Sequence, residues 1–190
     1  MGTIYDRIYN LAKPYLDTRK NDIHISISYM FARKLLEHYP EADEEIVLPA
    51  ILLHDIGWKV ISEEKQSCAF GPKGKDMETL RLHEIEGAKI AGAILSLINY
   101  DELKIAEITA IIDGHDTRKE TLSLNDALVK DADKLWRFTP TGVGIDHFRF
   151  GIDRDIYLEY LDTIIDQWFL MPAAGNMARE ALIETKALKI

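Results

Sequence analysis

A single cysteine, Cys68, excludes a disulfide within the chain and fits a reducing compartment. Glycine and proline are sparse, 11 and 6 in 190 residues, which excludes a collagen-like or low-complexity chain. Apolar runs are short and broken by charge or histidine, so no segment is expected to span a bilayer. The opening residues Met1 to Asp6 carry an early acid and no apolar stretch, which predicts no secretory signal, and Asp6 breaks the myristoylation pattern. A cytoplasmic protein without membrane partners is expected. Basic residues are in deficit, Lys+Arg 23 against Asp+Glu 32, leaving a net charge of −9. That balance argues against a nucleic-acid polymer as partner. An anionic substrate would need positive charge supplied locally, by a few side chains or a metal.

What is present is core material and helical spacing. Apolar residues make up 47% of the chain, and its length favours one domain over residues 1–190. Ile4, Ile8, Leu11, Ala12 and Tyr15 recur at three and four, and Pro14 predicts a kink or end there. A second helix is expected from an Asn21 or Asp22 cap to His38, stopped by Pro40. A third runs from about Asp43 to Ile56, ends at Gly57, and is expected to split at Pro49. Residues 62–77 read as a long polar loop. Helical spacing resumes over 78–98, 102–112 and from Ser123 to Trp136. Thr139 to Gly144 reads as a turn, and two C-terminal helices span about 153–170 and 173–188. No strand pattern appears, so the fold class is all-α.

Polar residues interrupt the apolar pattern at telling places. His54-Asp55 follows the apolar run 46–53 and precedes Gly57. His24 sits in the first turn of the second helix, among Ile23, Ile25 and Ile27. His83 lies near a helix start, and His115 at the end of an apolar helix. Asp131 and Asp133 lie in a helix otherwise built for burial. Histidines and carboxylates on several apolar helices converge only in a bundle interior, where such side chains hold metals. Imidazole with carboxylate suits Fe, Mn, Zn, Ni or Co rather than Ca.

The order His24, His54-Asp55, His83, His115, Asp133 resembles the H…HD…H…H…D order of the HD-domain superfamily. Leu52-Leu-His-Asp-Ile-Gly57 is similar to its central motif, and His83-Glu-Ile-Glu-Gly-Ala88 to the HxxxGA segment of its dinuclear branch. Ile111-Ile-Asp-Gly-His115 is similar to that branch's fourth histidine, and Ala132-Asp-Lys-Leu135 to its closing Asp segment. The resemblance spans about residues 21–137. It implies an all-α phosphohydrolase that cleaves a phosphate ester or anhydride of a nucleotide or small phosphorylated metabolite. One or two divalent metals are implied, Fe or Mn in preference to Zn, Ni, Co or Mg. His24, His54, Asp55 and Asp133 would hold the first, with Asp55 bridging to a second at His83 and His115. Asp131, about 200° around the helix from Asp133, is the alternative ligand or a neighbour of the ligands. The Gly-Tyr-Pro variant is absent after His115, which argues against a cyclic-dinucleotide phosphodiesterase of that branch.

The chemistry so implied is attack on phosphorus by water that the metal has made acidic. Asp55, Lys59 and Arg118 are the candidate catalytic residues. Lys59, Arg118, Lys134 and Arg137 are the candidate phosphate-binding cations. His38 and His147 fall outside the matched order and read as surface or packed side chains. Trp58, Trp136 and Phe138 border the motifs and read as core. Cys68 has no histidine at motif spacing and is not taken as a nucleophile. Two other readings share the same ligands: a diiron oxygenase acting on a small anion, and a non-catalytic sensor module. A homo-oligomer is compatible with the last helix.

Overall fold

The computed structural model describes residues 2–69 and 76–188, apart from the side chains of residues 67 and 68. Ten α-helices, and no strand, occur among them. Thr3 caps α1 (Ile4–Ala12) by accepting from the Asp6 amide, and Asp6 returns the bond to the Thr3 amide. Pro14 ends it in a 3-10 turn over Lys13–Tyr15. Next come α2 (Asn21–His38) and α3 (Glu44–Leu53), then a 3-10 turn over Ile56–Val60. After these follow α4 (Glu63–Ala69), α5 (Met77–Leu97), α6 (Glu102–Ile112) and α7 (Leu124–Leu135). The chain closes with α8 (Pro140–Phe150), α9 (Arg154–Trp168) and α10 (Pro172–Ala187). No described helix is long and apolar enough to cross a membrane.

α3 sits at the centre, apolar all round, with every residue from Ile46 to Leu53 buried. It packs on α1, α2, α6 and α7, and α5 lies across α6 and the 56–60 turn. Pro49 does not split α3. Its missing N–H and ring leave the Glu45 carbonyl without a helical partner, and the Tyr100 hydroxyl donates to that carbonyl at 2.7 Å.

Three further local expectations are corrected. The cap of α2 is neither Asn21 nor Asp22. Lys20 occupies that position at φ 62° without a side-chain cap bond, and Asn21 is buried inside the helix. Part of the stretch expected as a loop is helical: α4 packs against α5, and Gln66 donates to the Trp58 and Ile61 carbonyls. Residues 70–75 of that stretch, and the side chain of Cys68, lie outside the described residues. The expected 139–144 turn is the start of α8. Thr139 accepts from the Gly142 amide and Pro140 takes the first helical position, both helix-start signals. Gly142 is required there, because a Cβ would stand 2.0 Å from the Trp136 carbonyl oxygen.

Candidate metal centre

Two histidines end helices in the same way. His54 follows the last residue of α3 and its Nδ1 donates to the Ile51 carbonyl at 2.9 Å. His115 follows α6 and its Nδ1 donates to the Ile112 carbonyl at 2.9 Å. A carbonyl only accepts, so each neutral ring carries its proton on Nδ1 and turns the Nε2 lone pair inward.

α2 contributes His24 and α5 contributes His83. His24 Nε2 lies 3.0 Å from His54 Nε2, and His83 Nε2 lies 3.3 Å from His115 Nε2. Asp55 sits between the two pairs. Its Oδ2 is 3.5 Å from His24, and its Oδ1 is 3.8 Å from His54, 3.8 Å from His83 and 3.6 Å from His115. The Trp58 indole donates to Asp55 Oδ1 at 3.0 Å, and Asn21 donates to the Asp55 carbonyl at 3.3 Å. Trp58 also stacks on His83, with ring centroids 4.0 Å apart. Gly57 permits the approach of the 56–60 turn to α5, since a Cβ there would stand 1.9 Å from the His83 carbonyl oxygen.

α7 closes the centre. Asp126, Lys130, Asp133 and Arg137 recur at four, three and four, which is one helical stripe. Asp133 Oδ1 lies 3.1 Å from His24 and 3.3 Å from His54. Asp131 faces the other way, accepting the Leu170 and Met171 amides before α10. It does not reach the histidines.

Asp116 was not among the ligands expected from sequence. Its Oδ2 lies 3.4 Å from His83 and 3.6 Å from His115. The signal was its place beside a helix-end histidine. Glu84, buried completely, fixes that turn by accepting the Asp116 and Thr117 amides and the Thr117 hydroxyl. Lys130, also buried, donates to the Gly114 and Arg118 carbonyls of the same turn.

The donors gather in three overlapping groups, each with atoms within 4.8 Å of one another: His24, His54 and Asp133; His54, Asp55 and His115; His83, His115 and Asp116. The electrostatics favour positive charge among them. Burial alone would raise the Asp55 pKa, but His54, His115, His24 and His83 hold it well below the usual carboxylate range. Burial alone would lower His115, but Asp116 and Asp55 push it up to about 10. Four imidazole Nε2 atoms in two pairs at 3.0 and 3.3 Å, beside three carboxylates, form a donor set that suits divalent transition metals.

A narrow cavity of about 20 Å³ opens onto this cluster, lined among others by the donors His24, Asp55, Asp116 and Asp133 and by Arg19, Arg137 and Arg149. Of the four cations expected from sequence, Arg137 alone lines it. Lys59 pairs with Asp17 at 2.6 Å. Arg118 is drawn into the α6–α7 junction, on buried Asp126 at 3.1 Å and the Ala110 and Asp113 carbonyls. Lys134 donates to the Trp168 carbonyl and lies 3.6 Å from Asp131. Catalytic or phosphate-binding parts for these three are therefore not supported by position. Arg19 and Arg149 were missed because they lie outside the histidine motifs. His38 ends α2, and His147 hydrogen-bonds the Ile152 carbonyl on α8, both away from the centre. Trp58 and Trp136 are buried but also line the cavity, whereas Phe138 is core.

The HD domain family model matches residues 22–137. No curated protein and no solved structure gives a match. The matched span covers every helix that carries a cluster residue, and the chain belongs to the HD-domain family, within the superfamily of metal-dependent phosphohydrolases.

Proposed function

We propose that the chain is a phosphohydrolase that uses two divalent metals, Fe or Mn in preference to others, to cleave a phosphate ester or anhydride. His24, His54 and Asp133 would hold one metal, His83, His115 and Asp116 the second, and Asp55 would reach both. The observation that carries the reading is the cavity itself, which metal donors and three arginines line together. Metals held there would supply Lewis acidity, lowering the pKa of water and neutralising phosphoryl charge.

The chain's own residues supply orientation and exclusion of water. The Ile51 and Ile112 carbonyls keep the His54 and His115 rings in one tautomer. Trp58 holds both Asp55 and the His83 ring. Arg137, whose guanidinium is fixed by buried Asp146 at 2.5 Å, lines the cavity in which a phosphate would lie. An oxygenase would need the same ligands, and the arginines would suit its small anionic substrate as well, so the family's membership in the phosphohydrolase superfamily is what favours phosphate. The test is phosphate release from p-nitrophenyl phosphate by protein reconstituted with Mn²⁺ or Fe²⁺. Turnover lost in His54→Ala supports the reading, and two irons bound without turnover of any phosphate compound would oppose it.

A further inference from the structure

Asp146, on α8, is completely buried, and a carboxylate so placed needs partners for its charge. It has two guanidinium groups. Arg137 donates to its Oδ2 at 2.5 Å, and Arg149 donates to its Oδ1 at 2.8 Å. The Tyr157 hydroxyl, from α9, donates to Oδ2 at 3.4 Å.

Both arginines line the narrow cavity at the metal donors, and Asp146 does not line it. Arg149 also donates to the Arg19 carbonyl at 2.6 Å, and Arg19 lines the same cavity while lying over the Trp58 ring at 4.3 Å. One carboxylate thus holds two of the cavity's arginines directly, and through Arg149 it ties down the backbone of the third.

The chain is laid out for this. Asp146 and Arg149 are three apart on α8 and share a face of that helix. Arg137 comes from the 3-10 turn over Trp136–Phe138, against which the close approach at Gly142 brings α8. Asp146 and Arg149 lie beyond residue 137, where the match to the family model ends, so the motif order does not account for them.

Two guanidinium groups on the two oxygens of one carboxylate repel each other. Burial lowers the Arg149 pKa, Asp146 opposes that, and Arg137 adds to it. Burial alone would lower Arg137 too, but Asp146 holds it above the usual arginine range. The shared carboxylate is what keeps both cations together at one cavity.

We infer that Asp146 is a positioning residue for the substrate's phosphate, fixing Arg137 and Arg149 at the cavity in which that phosphate would lie. The inference rests on the phosphohydrolase reading. A fixed cation meets the phosphate's charge before and during the reaction alike, so its misplacement is read in KM more than in kcat.

The test uses the full chain loaded with Mn²⁺, as wild type, Asp146→Asn and the charge-keeping Asp146→Glu. Steady-state kinetics on p-nitrophenyl phosphate gives kcat and KM, and calorimetry gives the Kd of inorganic phosphate. Metal content and circular dichroism are measured on each sample. In Asp146→Asn, KM and the phosphate Kd are expected to rise at least tenfold, with kcat within threefold of wild type and metal content unchanged. Asp146→Glu keeps the charge but moves it, and is expected to fall between, with KM raised threefold or more. That variant carries the test if Asp146→Asn does not fold. A carboxylate that only stabilises the fold would lower the denaturation midpoint and leave KM and the phosphate Kd at wild-type values. Wild-type KM and Kd in a folded variant, or a fall in kcat with KM unchanged, overturns the inference while leaving the phosphohydrolase reading intact. No phosphate release by wild type from any compound, p-nitrophenyl phosphate included, overturns both.

Discussion

At the scale of the residue, direction matters more than proximity in sequence. Asp131 and Asp133 are two apart, yet one anchors the chain entering α10 and the other meets His24 and His54. The helical period separates them, and that separation was legible from sequence. The partners of a flexible cation were not. Lys59, Arg118 and Lys134 lie beside motif residues in the chain, but their long side chains reach Asp17, Asp126 and the Trp168 carbonyl. Arg118→Met should therefore leave Asp126 buried without its charge partner and cost about 3 kcal/mol in urea denaturation. Its KM for substrate should stay near wild type, and a stable variant with a greatly raised KM would restore Arg118 to the site. His54→Ala or Asp55→Ala should lose metal and activity while keeping the helical circular dichroism. His38→Ala should change neither.

At the scale of the element, helices with clean periodicity were readable and irregular segments were not. α5, α6 and α7 lie within a residue or two of their expected spans. The 139–144 segment misled because two glycines and a proline suggest a turn, although Thr139 and Pro140 are start signals and Gly142 is dictated by packing against Trp136. Thr139→Ala should cost about 1 kcal/mol of stability through the lost cap, read from the denaturation midpoint. Gly57 has a stricter duty, since the 56–60 turn rests on α5 at the His83 carbonyl. Gly57→Ala should destabilise by about 2 kcal/mol or more and separate Asp55 from His83. Metal content measured on folded protein checks this, and full occupancy in that variant would show that the turn tolerates the displacement.

At the scale of the whole molecule, three helices, two helix ends and one short turn deliver seven donors to one place. The family order made six of them legible. Asp116 and the arginines from the 15–21 connection and α8 come together only when the bundle closes, so no local pattern announces them. On the proposed reading, metal binds the folded cluster and not the unfolded chain. Chelation should therefore lower the melting temperature, and restoring metal at a hundred times its Kd should return about 2.7 kcal/mol.

The most direct measurement is metal per chain by elemental analysis after reconstitution, on wild type and His54→Ala side by side. The arrangement of the donors predicts two divalent metals per wild-type chain and a clear loss in the variant. A wild-type chain that takes up no metal, or a variant that holds as much as wild type, would contradict the assignment of this cluster as a metal centre.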